Sequence, residues 1–342
     1  MQAVRIEQQG NPVTPNIRFV DDHPTPVPQP GELLVRTEAS SLNHLDLWVG
    51  RGLPGADTFP RISGSDGCGR VEAVGEGVHD VWIGRRVIIN AAVPADHEPH
   101  PDLSPAFPEL HMIGESLPGC HAEYFTVPAT NALDVGDLDP VESAAYGLTH
   151  LTAWRMLMTR ASLHAGQWVL IPGLGGGLAL AALNIARHLG CRTIVTSRHQ
   201  WKLDRAAELG AEFGILDEGE NWAGEIRKIT GKRGVDICVE SVGQSVHESV
   251  LQSLTRGGTM VTCGCTTGPH ATTDLTRIFW NQLSIVGSTM GDMHEFRRST
   301  ALFKSGAIKP VIDSVIKASD GPSAWARLEA GDQFGKIVLK WS

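Results

Sequence analysis

No apolar run in this sequence approaches the roughly 20 residues that a membrane-crossing helix needs. Residues 1–6 lack the apolar core of a secretion signal, so a cytoplasmic location and no membrane partner are expected. Dense clusters of Lys and Arg are also missing. With a formal charge of −9, that argues against nucleic acid or an anionic membrane as the main partner. The cysteines Cys68, Cys120, Cys191, Cys238, Cys263 and Cys265 are scattered, several inside predicted strands, which suits buried free thiols and not a disulfide framework. Internal repeats and low-complexity tracts are absent. A chain of 342 residues is too long for one ordinary core and fits two domains.

The most informative feature present is a short apolar run, 169–172, that stops at Gly173, Gly175, Gly176 and Gly177 and restarts at Leu178 as an apolar helical pattern. This reads as strand, tight turn and helix. Glycines let the backbone approach a diphosphate, and the free N–H groups and positive end of the following helix attract its charge. A dinucleotide is the expected ligand. A second apolar run, 191–196, leads to Ser197 and Arg198, roughly 20 residues after the glycines, where such folds read the adenosine ribose. A cofactor with a free 2′-hydroxyl is usually met there by Asp or Glu, and neither is present. Ser197, Arg198 and Lys202 offer donors and positive charge, which suits a 2′-phosphate and favours NADPH over NADH.

Residues 2–126 read as short strands broken by Pro and Gly, for example 32–37 and 69–75, an all-β unit predicted to form a small barrel. Residues 91–119, rich in Pro, His and acids, are expected to form a long surface lobe. From about Asp139 the pattern becomes α/β. Strands and helices alternate at 168–172, 178–189, 191–196, 201–209, 223–229, 235–240, 246–254, 259–263 and 283–287. Such alternation demands a parallel sheet covered on both faces. A last helix is placed near 294–303, followed by strands at 311–316 and 336–341 that return to complete the first domain.

Several motifs occur in one order: 41–52 around Asn43-His44-Leu45-Asp46, 60–69 around Gly64-Ser65-Asp66, His121-Ala122-Glu123-Tyr124, Leu151-Thr152-Ala153-Trp154, the glycine turn, 234–240, and Gly335-Lys336-Ile337-Val338-Leu339. On these, the chain resembles the medium-chain dehydrogenase/reductase superfamily, and within it the zinc-free, quinone-oxidoreductase-like branch that includes zeta-crystallin. The resemblance implies an α/β protein: a GroES-like β-barrel catalytic domain over 1–130, completed by 305–342, and a doubly wound parallel-sheet (Rossmann) cofactor domain over 131–304. Catalytic zinc in this superfamily takes thiolate, imidazole and a second thiolate or carboxylate, and the matching positions here are Asn43, Ser65 and Leu148. Asp66 alone would not hold the metal. The lobe 91–119 contains no cysteine for a structural metal, and His97, His100, His111, Cys120 and His121 are irregularly spaced, so no metal is expected.

Without a Lewis acid, an acceptor that is already electrophilic is the natural substrate, and the resemblance implies direct hydride transfer from NADPH to a quinone or α,β-unsaturated carbonyl. Two other readings stay open: an alcohol dehydrogenase holding zinc through atypical ligands, and a non-catalytic, crystallin-like NADPH-binding protein. Asn43 is placed to donate to a carbonyl oxygen or hold the nicotinamide edge, and His44 to contact pyrophosphate or relay a proton. Asp46 is expected to anchor its surroundings through Lys336 or an arginine. Ser65 and Asp66 are candidates to hold water or a substrate oxygen. Thr152 matches the family's threonine near the nicotinamide, and backbone groups around Val242, Gly264 and Thr266 are candidates to grip the carboxamide, at strand ends where doubly wound sheets bind ligands. Lys336 matches the family's basic residue that reaches the cofactor phosphates. The edge-strand region 283–287 pairs across a two-fold axis in many relatives, so a homodimer is expected.

Overall fold

The computed structural model describes residues 1–53, 58–95 and 109–341. His97, His100 and the middle of the proposed surface lobe lie outside them. The chain divides into two units: unit 1 comprises residues 1–148, 292–300 and 310–342, and unit 2 residues 149–291 and 301–309.

The first stretch of chain is dominated by strands: β1 Ala3–Ile6, β2 Ile17–Val20, β3 Glu32–Ser41, β4 Gly67–Val74, β5 Arg86–Ile89, β6 Ala92–Pro94, β7 Leu110–Met112, β8 Tyr124–Pro128 and β9 Ala132–Asp134. Helix α1 (His44–Arg51) follows β3, and α2 (Pro140–Trp154) follows β9. The second stretch alternates as the apolar periodicity requires: β10 Trp168–Ile171, α3 Gly177–His188, β11 Arg192–Ser197, α4 Gln200–Glu208, β12 Phe213–Leu216, α5 Ala223–Ile229, β13 Val235–Glu240, α6 His247–Ser253, β14 Leu254–Thr262, α7 Leu275–Asn281 and β15 Ser284–Gly287. The chain then passes through α8 (Met293–Lys304), β16 (Ile312–Lys317), α9 (Gly321–Ala330) and β17 (Lys336–Lys340).

Unit 2 is built on a parallel sheet in the order β12-β11-β10-β13-β14-β15. Every residue of β10 is buried, as a central parallel strand covered on both faces must be. Trp168, Leu170, Ile194, Ile226, Val250 and Met260 form much of its core. At the edge, β15 is largely exposed.

In unit 1 the long strand β3 is the hub. Its first half pairs with β8 and its last residues with β17, while β4 runs along its other side across two register shifts. The larger sheet runs β16-β17-β3-β4-β5-β9. Strand β17 therefore lies beside Ser40 and Ser41, although almost the whole chain separates them. Trp325 of α9 is fully buried among Ile6, Ile17, Leu47 and Leu339.

Four elements differ from the sequence expectation. Helix α9 follows the one placed last, and both β12 and α7 were missed. Strand β14 begins at Leu254, earlier than the periodicity indicates, because Gly257 and Gly258 interrupt its apolar pattern without ending its pairing region with β13.

Candidate active site

Asn43 is the N-cap of α1, with extended backbone at φ −126° and ψ 161°. The Asp46 carboxylate, at the third helical position, accepts the Asn43 backbone N–H at 2.7 Å, as in the return half of a capping box. The Asn43 amide reaches across the unit: Nδ2 donates to Asp66 Oδ2 at 2.9 Å, and Oδ1 accepts from Lys336 Nζ at 2.5 Å. Lys336 Nζ also donates to Asp66 Oδ2 at 2.9 Å. The other Asp66 oxygen accepts the Leu148 backbone N–H at 2.7 Å. Gly147 permits this approach of α2, since a Cβ there would sit 2.5 Å from Asp66 Oδ1.

All three side chains are buried: Asn43 is 7%, Asp66 1% and Lys336 3% exposed. An ion pair removed from water in this way survives only with well-placed additional hydrogen bonds, which the Asn43 amide and the Leu148 N–H supply.

The structure corrects the expected anchor for Asp46. Its second oxygen, Oδ1, lies 3.4 Å from His121 Nε2, while Lys336 is committed to Asp66 and Asn43. Strand pairing explains the exchange: β17 runs beside the end of β3 and brings Lys336 to Asp66, leaving the other side of Asp46 to His121. On the far side of the imidazole, His121 Nδ1 meets Ser40 Oγ at 2.9 Å, and Ser40 Oγ accepts Trp341 Nε1–H at 2.9 Å. Burial alone would push the Asp46 carboxyl up, but the His121 imidazole and the Asn43 N–H together hold it below the usual carboxylate range.

His44 opens α1, half-buried and edge-on to Trp48 at 5.3 Å. Burial and then the Arg51 charge push its pKa down, against an opposing pull from Asp46, which favours the neutral imidazole. Ser65 is fully buried and its Oγ donates to the Ile113 carbonyl at 2.7 Å, so in this arrangement its hydroxyl proton serves the backbone. Among the described residues no three His, Cys, Asp or Glu side chains converge as a metal-binding group.

In unit 2, β10 gives way to a turn in which Gly173 (φ +64°) and Gly175 (φ +139°) hold backbone angles that L side chains rarely adopt. Gly176 caps α3, Gly177 begins it and Leu178 lies in its first turn. The turn is tied to β11 by the Leu174 N–H, which donates to the Thr196 carbonyl at 2.7 Å. Lys202 of α4 lies over this turn: a Cβ built on Gly175 would be 2.9 Å from Lys202 Cδ and 3.2 Å from Nζ. Its ammonium therefore stands beside the open N-terminus of α3. Ser197 is buried at the end of β11, and Arg198 next to it is exposed.

Thr152 is buried in α2, where its Oγ1 lies 3.7 Å from Met290 Sδ. Val242 lies just beyond the C-terminal end of β13, and Gly264 and Thr266 just beyond that of β14. Thr266 donates through N and Oγ1 to the Ser241 carbonyl at 3.3 and 3.1 Å, and the Gly264 carbonyl lies 3.3 Å from Thr262 Oγ1. Sequence reasoning assigned no role to Glu240, which organises this corner. Its carboxylate accepts the N–H groups of Val242 and Gly243 at 2.5 and 2.6 Å, and Thr262 Oγ1–H at 3.1 Å. Burial raises its pKa and these donors oppose the rise. The available signal was a lone acid closing an apolar strand at the ligand-binding end of the sheet.

Residues 29–137 match the alcohol dehydrogenase GroES-like domain family, and residues 177–305 match the zinc-binding dehydrogenase family. A crystal structure of an NAD-dependent alcohol dehydrogenase superposes with a TM-score of 0.90 at 33% identity, covering 100% of both chains. The chain belongs to the medium-chain dehydrogenase/reductase superfamily. It is also similar to an alcohol dehydrogenase of Geobacillus stearothermophilus, 30% identical over 91% of each chain. A quinone oxidoreductase of Rattus norvegicus is 25% identical over 99% of this chain and 97% of its own. An oxidoreductase of this superfamily is expected to use a nicotinamide cofactor, and both the α/β class and the pairing of a GroES-like domain with a parallel-sheet domain agree with the sequence reading.

Proposed function

We propose that the protein is a zinc-independent reductase that uses NADPH to reduce a quinone or an α,β-unsaturated carbonyl. The observation that carries this reading is the buried Lys336 ammonium, bonded to Asn43, one of the positions where the superfamily resemblance puts metal ligands, and to Asp66, the neighbour of another, Ser65. These residues do not fit zinc. The amide of Asn43 and the hydroxyl of Ser65 are poor ligands for it, Leu148 offers no side-chain donor, and Asp66 already accepts from Lys336, Asn43 and Leu148. An ammonium in the same small volume repels a second cation.

Bound NADPH supplies the hydride. The chain's own contribution begins in unit 2, where the glycine turn, the α3 N-terminus and Lys202 suit a diphosphate, and Ser197 with exposed Arg198 suits a 2′-phosphate. In unit 1 the Asn43 amide donates to the carbonyl oxygen as hydride adds to the conjugated carbon and the electron pair moves onto that oxygen. His44, kept neutral by burial and Arg51, passes a proton from solvent to the product.

We also read the β15 edge as the contact between two copies of the chain. Ile285 on that strand and Leu275, Phe279 and Trp280 on α7 are 43%, 71%, 66% and 70% exposed, and edge-to-edge pairing would cover apolar surface and close an open strand.

Stopped-flow oxidation of NADPH and NADH against a panel of quinones and enones tests the proposal. The expected result is turnover by chelator-washed protein with at least about a tenfold preference for NADPH, on the order of 1.4 kcal/mol, shrinking or inverting in Arg198→Asp. Stoichiometric zinc in the washed, active protein overturns the metal-free reading, and an unchanged preference in Arg198→Asp overturns the phosphate reading.

A further inference from the structure

We infer that Lys336 is a positioning residue that fixes which way the Asn43 amide faces, and so makes Asn43 a directed hydrogen-bond donor. A carboxamide is nearly symmetric in shape, with an acceptor on one arm and a two-proton donor on the other. Its neighbours decide the orientation. Lys336 can only donate, and an ionised Asp66 can only accept. With Nζ at 2.5 Å from one arm and Asp66 Oδ2 at 2.9 Å from the other, only one orientation satisfies both; the flipped amide would set N–H against ammonium and oxygen against carboxylate. Burial of all three groups raises the cost of that mismatch, because a mispaired polar group away from bulk solvent loses more than one at the surface.

One Nδ2 proton is spent on Asp66, and among the described residues the other has no acceptor. That second N–H is the donor available to a substrate oxygen. Lys336 therefore works through Asn43, and its pairing with Asp66 locks the amide instead of leaving the ammonium to reach for phosphate. This inference rests on the carbonyl reduction proposed above for the role of the donor, and on geometry alone for the orientation.

Two substitutions separate the possibilities. Lys336→Arg keeps a group that only donates, whereas Lys336→Gln introduces one that can donate or accept and so lets the amide turn over. In protein labelled with 15N-asparagine, the Asn43 side-chain proton pair is expected to be sharp and split in the native chain and in Lys336→Arg, and averaged or doubled in Lys336→Gln. In the same proteins, kcat on the responsive quinone or enone is expected to fall about a hundredfold in Lys336→Gln, with the dissociation constant for NADPH changed less than about twofold. Weaker NADPH binding by about tenfold in Lys336→Gln, with kcat held, would show a phosphate ligand and overturn the inference. So would an Asn43 signal indifferent to the Gln substitution in a protein whose circular dichroism is native. If no member of the panel is reduced by the native chain, the proposed activity falls, while the amide spectrum still decides the orientation.

Discussion

His121 Nε2 lies 3.4 Å from Asp46 Oδ1, with side-chain exposures of 0% and 2%. The other Asp46 oxygen holds the backbone of Asn43, so this pair stands directly behind the amide that faces Asp66 and Lys336. Packed edge-on against Trp325 at 5.0 Å, the His121 ring is in turn fixed by the core of unit 1.

Asp46→Ala is expected to cost about 3–5 kcal/mol of stability at neutral pH, because it strands a buried partner and removes the cap acceptor of α1. The Asp46 carboxyl is held below its ordinary range in the folded chain. Its contribution is therefore complete above the unfolded value of about 3.9 and is lost as pH falls through the folded value, so the native and Asp46→Ala chains should converge in acid. Urea denaturation at neutral and acid pH checks both parts. A neutral-pH difference below about 1 kcal/mol would show that the pair is not the buried contact described.

Two glycine substitutions should move stability in opposite directions. Gly173→Ala puts a side chain at φ +64° with its Cβ 2.6 Å from Val242 Cγ2, in the turn before α3. It should cost about 1–2 kcal/mol from the backbone alone and weaken dinucleotide binding. Gly224→Ala lies in α5 with open space around the new Cβ, and should add about 0.4–1 kcal/mol by restricting the unfolded chain. Thermal unfolding with and without NADPH distinguishes them; a Gly173→Ala protein as stable and as well bound as the native one would contradict the turn geometry.

Ile285→Lys should convert the proposed dimer to a monomer without unfolding unit 2, since a buried unpaired ammonium at the β15 edge is incompatible with strand-to-strand pairing, while an exposed one is harmless. Sedimentation velocity at micromolar concentration reads the outcome. A native chain that sediments as a monomer, or an Ile285→Lys chain that remains dimeric, removes β15 as the interface.

The α/β half of the fold was legible because its signals are local. An apolar strand such as β10, a glycine turn and an amphipathic helix follow one another within about twenty residues, and each has its own period. Helix α9 is hard to see in sequence because it opens on Gly321, Pro322 and Ser323, residue types common in loops, although Pro at the first helical turn is also a start signal. Strand β12 is a short edge with half its residues exposed, so its apolar content is thin. The site was legible as residue types only. Asn43, Asp66 and Lys336 could each be singled out from sequence, but no periodicity tells that Lys336 reaches Asp66 across 270 positions while Asp46 goes to His121. Those partnerships follow from β3 pairing with both β17 and β4, which is a long-range choice.

The split of unit 1 around unit 2 also fixes an order of events during synthesis. Residues 149–291 emerge as one stretch that carries every strand of their sheet, whereas residues 1–148 must wait for 310–342 before β17 can dock on β3. Until then Asp66 is without its ammonium, and the flank of β3 that β17 will cover stands open. A nascent chain thus spends the translation of well over a hundred codons with its first-made half unfinished. That interval is when the half-built sheet is most exposed to aggregation and most in need of chaperone cover.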